Sequence, residues 1–278
     1  MSAQDGASES PKYLARLFGL VATSLTQLVR PSSHARRAEA ARRLARHTLL
    51  TTVVVGVMIV VLMVGFDTRE IALMPPRGTA SLWPARILTD FGKDTYVLSV
   101  LAAMLLVTIL VAVALRGTSR ARLQGFGLRL QFLFCAVLVP LVPGEALKWI
   151  VGRGRPFVGG EANPFNFAPL TGTEAYFSFP SAHVITAFAL AFAVGAIWPR
   201  MRGVMIAYAI LIAFTRLVLL AHHPSDVVAG ALIGVVGAMF VRYWFAVRGL
   251  GFAIGRDGAI TPLAQGGLKR VADAASAP

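Results

Sequence analysis

The sequence contains few charged residues and a single cysteine. Of its 278 residues, 14% are charged and 56% are hydrophobic, whereas a soluble domain carries about 25% charged residues. Cys135 has no second cysteine to pair with, so an intrachain disulfide is excluded. A lone cysteine inside an apolar segment is typical of a small core residue. The composition therefore disfavours a soluble helical core and indicates a membrane protein.

The sequence also lacks the patterns by which metal sites and nucleic-acid modules are recognised. It has no HExxH motif, no group of carboxylates and no cysteine pair, so neither a metal nor another cofactor is expected. The formal net charge is +14, but no segment combines basic and aromatic residues as nucleic-acid-binding modules do. A nucleic-acid partner is therefore not expected, and the positive charge needs another explanation.

Six apolar runs divide the chain, and several approach the roughly 20 residues needed to cross a bilayer. They are residues 49–66, 95–115, 130–147, 182–198, 204–221 and 227–247. This pattern predicts an all-α polytopic membrane protein with a bundle of six transmembrane helices in residues 47–248. Residues 249–278 are rich in Gly and Ala and are predicted to be a weakly ordered cytoplasmic tail.

Residues 1–46 form a basic N-terminal segment. Within it, residues 12–30 mix apolar and basic side chains at helical spacing, which is typical of a helix lying on a membrane surface. A frayed tail is an equal alternative. No cleavable signal peptide is expected, because the first strongly apolar stretch begins near Leu49.

Lysine and arginine are unevenly distributed among the segments between the apolar runs. Nineteen of the 27 lie on alternate segments that include both ends of the chain. The positive-inside rule places such segments, and hence both termini, in the cytoplasm. The opposite face is the periplasm if the membrane is a bacterial inner membrane, or the lumen if it is an endoplasmic reticulum.

Three short runs at the ends of apolar segments gather ionisable residues, and by parity all three emerge on that outer face. They read KWIVGRGRP at residues 148–156, FPSAH at residues 179–183 and TRLVLLAHHPSD at residues 215–226. Ionisable groups at membrane depth are costly, so function is their default interpretation. Drawn from these runs, a set of three cations, two imidazoles, a hydroxyl and a carboxylate suits the binding of a phosphate and the cleavage of its ester.

The spacing of these runs resembles the signature of the PAP2 superfamily, the type 2 phosphatidic acid phosphatases. That signature reads K-x6-RP, then PSGH, then SR-x5-H-x3-D. The matching residues are Lys148, Arg155, Pro156, Pro180, Ser181, His183, Arg216, His222 and Asp226. Ala182 and Thr215 stand where the signature has glycine and serine. With its helix pattern, the resemblance extends over residues 47–247.

The resemblance implies a metal-independent lipid phosphatase of the PAP2 type. The residues implied to bind the substrate phosphate are Lys148, Arg155, Ser181 and Arg216. His222 would attack phosphorus to form a phosphohistidine, and Asp226 would accept a hydrogen bond from the other ring nitrogen of His222. His183 would protonate the leaving alkoxide and then activate water.

The assignment of the nucleophile to His222 carries a conflict with regular helix geometry. On an unbroken helix, His223 would share a face with Arg216, and His222 would point away from it. Pro224 disfavours helix at His223, so the fifth helix is expected to end near residue 222. The family spacing then favours His222. Arg153 lies off the family positions, where a solvated loop charge is favoured over a substrate contact.

The outer segment 157–180 is rich in aromatic residues. These are Phe157, Phe165, Phe167, Tyr176, Phe177 and Phe179. They either hold the hydrocarbon chain of a lipid substrate or pack the loop onto the membrane. Candidate substrates are undecaprenyl diphosphate, phosphatidylglycerol phosphate, phosphatidic acid and the phosphates of lipid A, and the first two are expected on family grounds.

Two other functions remain open at this point. A lipid phosphotransferase would use the same site and differ only in the acceptor of the phosphoryl group. An anion or lipid transporter is disfavoured, because a pure binding site does not need the pair of His222 and Asp226.

Overall fold

The computed structural model describes residues 5–32, 35–76, 78–159 and 163–263, and these are predominantly helical. Their α-helices are α1 (Asp5–Val29), α2 (Arg37–Gly65), α3 (Asp67–Leu73), α4 (Trp83–Asp90), α5 (Asp94–Ala114), α6 (Gly117–Val151), α7 (Ala182–Ile197), α8 (Arg202–Val218) and α9 (Pro224–Val247). Two short strands follow, β1 (Phe252–Ile254) and β2 (Ile260–Pro262), which pair antiparallel with Ala253 opposite Thr261. The all-α class predicted from the sequence is confirmed.

Each of the six predicted apolar runs lies largely on one helix. Among the described residues, five helical segments are long and apolar enough to cross a bilayer, and the chain is an integral membrane protein. These segments are Arg37–Gly65, Ala80–Ala114, Gly117–Val151, Pro199–Val218 and Pro224–Val247. The remaining run forms α7, a shorter helix of 16 residues and therefore about 24 Å long. Most of α7 is buried against protein, so it does not depend on a full lipid-facing length.

The chain divides into two compact units. The first comprises Met1–Arg43, Val100–Phe132 and Arg242–Pro278, and the second comprises Leu44–Ser99 and Leu133–Val241. All three sequence motifs belong to the second unit. The predicted division into an N-terminal segment, a helical domain and a tail stays a prediction.

Small residues bring α7 and α9 close together in the second unit. A Cβ atom on Gly230 would lie 2.7 Å from the carbonyl oxygen of Ser181, and one on Gly234 would lie 2.5 Å from that of Ile185. Such distances are too short for a real side chain, so glycine is required at both positions. The N-terminal ends of α7 and α9, which carry two of the motifs, are thereby held side by side.

Glycine also ends α6 at the first motif. Gly152 has φ of +54°, and a Cβ atom there would lie 2.2 Å from the carbonyl oxygen of Ala168. The amide of Ala168 donates to the carbonyl of Gly152 at 2.7 Å. The chain therefore leaves α6 in a conformation that favours glycine and is fastened at once to the returning loop.

In the first unit, α1 is a formed helix rather than a frayed tail. The carbonyl of Leu28 accepts a hydrogen bond from the indole of Trp244 at 2.9 Å, and that of Ser24 accepts one from Gln131 at 3.3 Å. Tyr13 donates to the carbonyl of Leu110 at 3.2 Å. Residues 12–30 therefore lie on a helix, and the position of this helix on a membrane surface stays a prediction.

The strands lie where the sequence predicted a weakly ordered tail. Arg43 forms an ion pair with Asp257 at 2.8 Å, and Arg36 donates to the carbonyl of Ile254 at 3.1 Å. Asp257 and Gly258, with φ of +76° at the glycine, form the turn between the strands. Asp-Gly is a recognised hairpin signal, which the compositional argument overlooked. Residues 264–278 lie outside the described residues.

Candidate active site

Four segments of the second unit meet at the candidate active site. They are the segment around α3 and α4, the loop after α6, the start of α7, and the turn and first residues of α9 after α8. The hydrogen bonds that join them are Arg153 to Asp67 at 2.8 Å, Arg153 to Ser225 at 2.6 Å, the amide of Ser181 to the carbonyl of Asp226 at 3.2 Å, and Arg216 to Thr89 at 2.7 Å. The three motifs predicted from sequence to converge are therefore brought together, with the segment of Asp67 and Thr89 as an additional contributor.

The turn between α8 and α9 places His222. Helix α8 ends at Val218, four residues before the predicted end, and Leu220 has φ of +47°. Helix α9 begins at Pro224, because proline suits the first turn of a helix. Since no continuous helix joins Arg216 to His222, the regular-helix argument for His223 does not apply.

The ring of His222 is held by a backbone carbonyl. His222 is 3% exposed, and its Nδ1 atom lies 2.7 Å from the carbonyl oxygen of Ser178. A carbonyl can only accept, so the proton resides on Nδ1 and the lone pair on Nε2. This is the tautomer needed for attack through Nε2.

This contact corrects the expected partner of His222. Asp226 was expected to bind the ring nitrogen directly, but its carboxylate is engaged elsewhere. Its Oδ2 atom accepts from the hydroxyl of Ser178 at 2.6 Å and from the backbone amide of His223 at 2.9 Å. Its Oδ1 atom lies 2.5 Å from Arg153. Asp226 reaches His222 through Ser178, because the short turn after α8 brings the ring to the backbone of that residue.

Arg153 is neither a substrate contact nor a solvated loop charge. It is completely buried and forms ion pairs with Asp67 and Asp226. Its Nε–H donates to the carbonyl of Pro164 at 2.9 Å, and its Nη1 to the hydroxyl of Ser225 at 2.6 Å. The sequence expectation was wrong because spacing within one motif does not reveal carboxylates that come from distant segments.

The three cations expected to bind phosphate all surround the two motif histidines. Arg216 and Arg155 act electrostatically on His222, and Lys148 acts with them on His183. Arg216 is 8% exposed and its Nε–H has no hydrogen-bond partner. Lys148 forms an ion pair with Glu145, one turn earlier on α6, at 2.5 Å. An entering anion would have to compete with Glu145 for this lysine.

Ser181 presents an unused hydroxyl at the start of α7. It occupies the N-cap position, is completely buried, and its Oγ atom has no hydrogen-bond partner. Serine at an N-cap normally bonds an amide of the first helical turn. A buried polar atom without a partner costs free energy. The unpartnered donors of Ser181 and Arg216 are suited to an anion such as phosphate.

The surroundings of His222 lower its pKa. The largest cause is burial, followed by the positive charges of Arg216 and Arg155, while the carbonyl of Ser178 acts in the opposite direction. The pKa of His222 lies well below the ordinary value of 6.5. The ring is therefore neutral near pH 7 and retains a nucleophilic lone pair.

The charges that act on His223 are those of Asp226, Arg153 and Asp67, and not those of the phosphate-site cations. His223 is completely buried, and its backbone amide donates to Asp226. Neither ring nitrogen has a hydrogen-bond partner of good geometry, although the backbone of Gly154 lies beside the ring. Burial is also the first cause of the lowered pKa of His223. The two adjacent imidazoles thus occupy different surroundings.

Several residues of the site were missed by the sequence argument. Asp67, Ser178 and Ser225 bond to Arg153 or Asp226. Thr89 and Glu145 contact Arg216 and Lys148, and the charge of Lys93 acts on His183. Ser178 lies one residue before the FPSAH run, so its position was the available signal. Asp67 and Thr89 precede the first motif by more than 50 residues, and no local pattern links them to it.

The loop after α6 uses its own amides. Gly154 donates to the carbonyl of Asn166 at 2.8 Å, and Arg155 to that of Ala175 at 2.9 Å. These two amides are consequently not available to bind a phosphate. Phe157, Phe165 and Phe167 remain exposed to 40%, 52% and 41%.

Comparison with known proteins agrees with this geometry. The PAP2 superfamily model matches residues 128–250, which include all three motifs. A lipid A 1-phosphatase of Rhizobium etli is 32% identical over 174 residues, covering 62% of this chain and 75% of that protein. The chain therefore belongs to the PAP2 superfamily, as the motif spacing predicted.

Two further relatives match over shorter lengths. A lipid A 1-phosphatase of Rhizobium johnstonii is 38% identical over 46% of this chain, and the match spans 52% of that protein's length. A putative undecaprenyl-diphosphatase of Escherichia coli is 32% identical over 42% of this chain, and the match spans 59% of that protein's length. No solved structure matches the chain.

Proposed function

We propose that this chain is a membrane lipid phosphatase that removes phosphate from a lipid phosphate or diphosphate through a phosphohistidine at His222. The observation that carries the proposal is the arrangement around that residue. Its Nδ1–H donates to the carbonyl of Ser178, and the positive charges of Arg155 and Arg216 act on the ring. A neutral imidazole with a free Nε2 can attack phosphorus, and fixed cations near it stabilise the charge of the transition state.

The first step transfers the phosphoryl group to the enzyme. Nε2 of His222 forms a bond to phosphorus while the bond from phosphorus to the lipid oxygen breaks. His183, which holds a proton once the bound phosphate offsets the charges of the site cations, gives that proton to the oxygen, which leaves as an alcohol, or as a lipid phosphate if the substrate is a diphosphate. Lys148, Arg155 and Arg216 balance the charge that spreads over the equatorial oxygens.

The second step releases phosphate. His183, now unprotonated, takes a proton from water as the water oxygen bonds to phosphorus. The phosphorus–nitrogen bond breaks and returns the electron pair to Nε2 of His222. Ser181 donates its unused hydroxyl to a phosphate oxygen through both steps, and Asp226 maintains the ring orientation by way of Ser178.

We further propose that the site faces the periplasm of a bacterial inner membrane, with both termini in the cytoplasm. The positive-inside distribution supports this orientation, as does the convergence of the three alternate outer segments at one site. Two relatives are named lipid A 1-phosphatase, so the 1-phosphate of lipid A becomes the first substrate to test, ahead of the lipids expected earlier.

The test is phosphate release by purified protein in excess EDTA. The panel contains lipid A, undecaprenyl diphosphate, phosphatidylglycerol phosphate and phosphatidic acid, with His222→Ala as the matched control. Release from at least one lipid, vanadate inhibition and an acid-labile phosphoprotein in the wild type alone are expected. Activity that disappears in EDTA and returns with Mg²⁺ would contradict the mechanism, and absence of release from every lipid would contradict the function.

A further inference from the structure

We propose that Asp67, Arg153 and Ser178 form a buried positioning network that fixes the tautomer and direction of His222, an inference that rests on the proposed function. The network reaches the histidine through the carbonyl of Ser178, whose hydroxyl donates to Asp226. Asp67, Arg153, Ser178, Ser225 and Asp226 are all 0% exposed. The resemblance to the family signature assigns a role only to the last of them.

Ser178 is the residue through which the network acts. Each of its three polar groups is committed: its amide donates to the carbonyl of Arg153 at 3.0 Å, its hydroxyl donates to Asp226 at 2.6 Å, and its carbonyl accepts from His222 at 2.7 Å. Because the amide and the hydroxyl of Ser178 are both hydrogen-bonded, its carbonyl has a fixed position and can hold the ring of His222 in one orientation. Ser178 therefore transmits the position of Asp226 and Arg153 to the nucleophile.

Arg153 is the residue that joins the other groups. Its side chain bridges Asp226 and Asp67, while its backbone carbonyl holds the amide of Ser178. Arginine is required for this because its planar fork donates in several fixed directions at once. Lysine retains the charge but is a point donor that cannot meet all of these acceptors.

Asp67 completes the network from a different part of the chain. One of its oxygens accepts from the backbone amide of Ser225 at 3.1 Å, and the other accepts from the hydroxyl of Ser225 at 2.5 Å and from Arg153 at 2.8 Å. Ser225 lies in the first turn of α9, one residue before Asp226. Asp67 consequently fixes both the guanidinium and the start of the helix that carries Asp226.

The test compares Asp67→Asn, Arg153→Lys and Ser178→Ala with the exposed control variants Glu174→Gln and Arg200→Lys. Misplacement of a reacting group by about 1 Å costs roughly 100-fold in rate. We expect kcat to fall about 10- to 100-fold in each network variant, with the inhibition constant of the product phosphate changed less than about threefold because the phosphate cations are intact. The controls should match the wild type.

Two further measurements separate positioning from general loss of structure. The double variant Asp67→Asn/Ser178→Ala should lose little more kcat than the worse single variant, because both changes act on the same ring. In ¹⁵N-labelled protein, the wild-type His222 should be protonated at Nδ1 alone, and Ser178→Ala should show both tautomers. If Arg153→Lys does not fold, Ser178→Ala decides the question, since it removes one hydroxyl only.

The outcomes are distinguishable. Near-wild-type kcat in folded Asp67→Asn and Ser178→Ala, or losses that multiply in the double variant, would overturn the network. An unchanged single tautomer in Ser178→Ala would overturn it as well. A wild-type protein that releases no phosphate from any lipid would refute the proposed function instead, and the tautomer measurement would still decide the network.

Discussion

Replacement of the two adjacent histidines tests which one is the nucleophile. His222→Ala removes the Nε2 that would bond to phosphorus, so the covalent route disappears and kcat should fall by about 10³-fold or more. That loss corresponds to about 4 kcal/mol of transition-state stabilisation. No phosphoenzyme should form when the variant is mixed with substrate and quenched in alkali, in which phosphohistidine survives.

The structure predicts a much smaller loss of kcat when His223 is replaced. Its ring is completely buried and its two nitrogens lack hydrogen-bond partners of good geometry, so an apolar side chain of similar volume removes two poorly satisfied polar atoms. His223→Leu should therefore keep most of the wild-type kcat and unfold at no lower temperature. His223→Ala should also keep most activity in the folded fraction, but it opens a cavity that costs about 2–4 kcal/mol.

The refuting result concerns the folded variants. If His223→Leu is folded yet as inactive as His222→Ala, the ring of His223 takes part in the reaction and the assignment from family spacing fails. An active His222→Ala enzyme would also refute the assignment of His222 as the nucleophile. Asp226→Asn should give an intermediate kcat, because the ring of His222 remains in place but its support through Ser178 is weakened.

Three other predictions concern pH, stability and topology. Because the pKa of His222 is lowered, the rate of phosphoenzyme formation should stay level as pH falls through 6.5. Arg155→Gln removes a charge that lowers this pKa, so the fall of the rate at acid pH should begin at a higher pH; an unchanged pH profile would contradict this. Burial, and then the charge of Asp67, raises the pKa of Glu70 to about 8. The unfolded state therefore loses its proton first, and the folded protein should lose stability as the pH rises from 4.5 to about 8. Glu70→Gln should flatten that decline in thermal unfolding, and an unchanged slope would exclude this carboxyl as its cause. Reporter fusions after Arg122 and after Leu170 should report opposite sides, and the same side for both would invalidate the parity argument.

The sequence predicted the parts of the molecule that local pattern controls. Each apolar run became a helix because its composition excludes a solvated loop, and Pro224 began α9 because proline is tolerated at a helix start. The convergence of three motifs followed from parity along the chain. These features require no knowledge of contacts between distant residues.

The supporting network was not predictable in the same way. Arg153 reads as a loop charge because the two carboxylates that surround it come from residues 67 and 226. The partner of His222 was misassigned because a backbone carbonyl leaves no mark in a pattern of side chains. Both errors concern tertiary contacts, which spacing within a motif cannot specify.

The charged residues near His222 form two groups. Arg155 and Arg216 favour an anion and keep the free imidazole neutral. The carboxylates of Asp67 and Asp226 share Arg153 and connect to the ring through Ser178. Under the proposed mechanism, a ring phosphorylated at Nε2 while Nδ1 keeps its proton becomes positive. Arg155 and Arg216 then attract the phosphoryl oxygens, and the carbonyl of Ser178 stabilises the proton on Nδ1. Removal of Arg153 would therefore disturb electrostatics as well as position, whereas Ser178→Ala changes position alone.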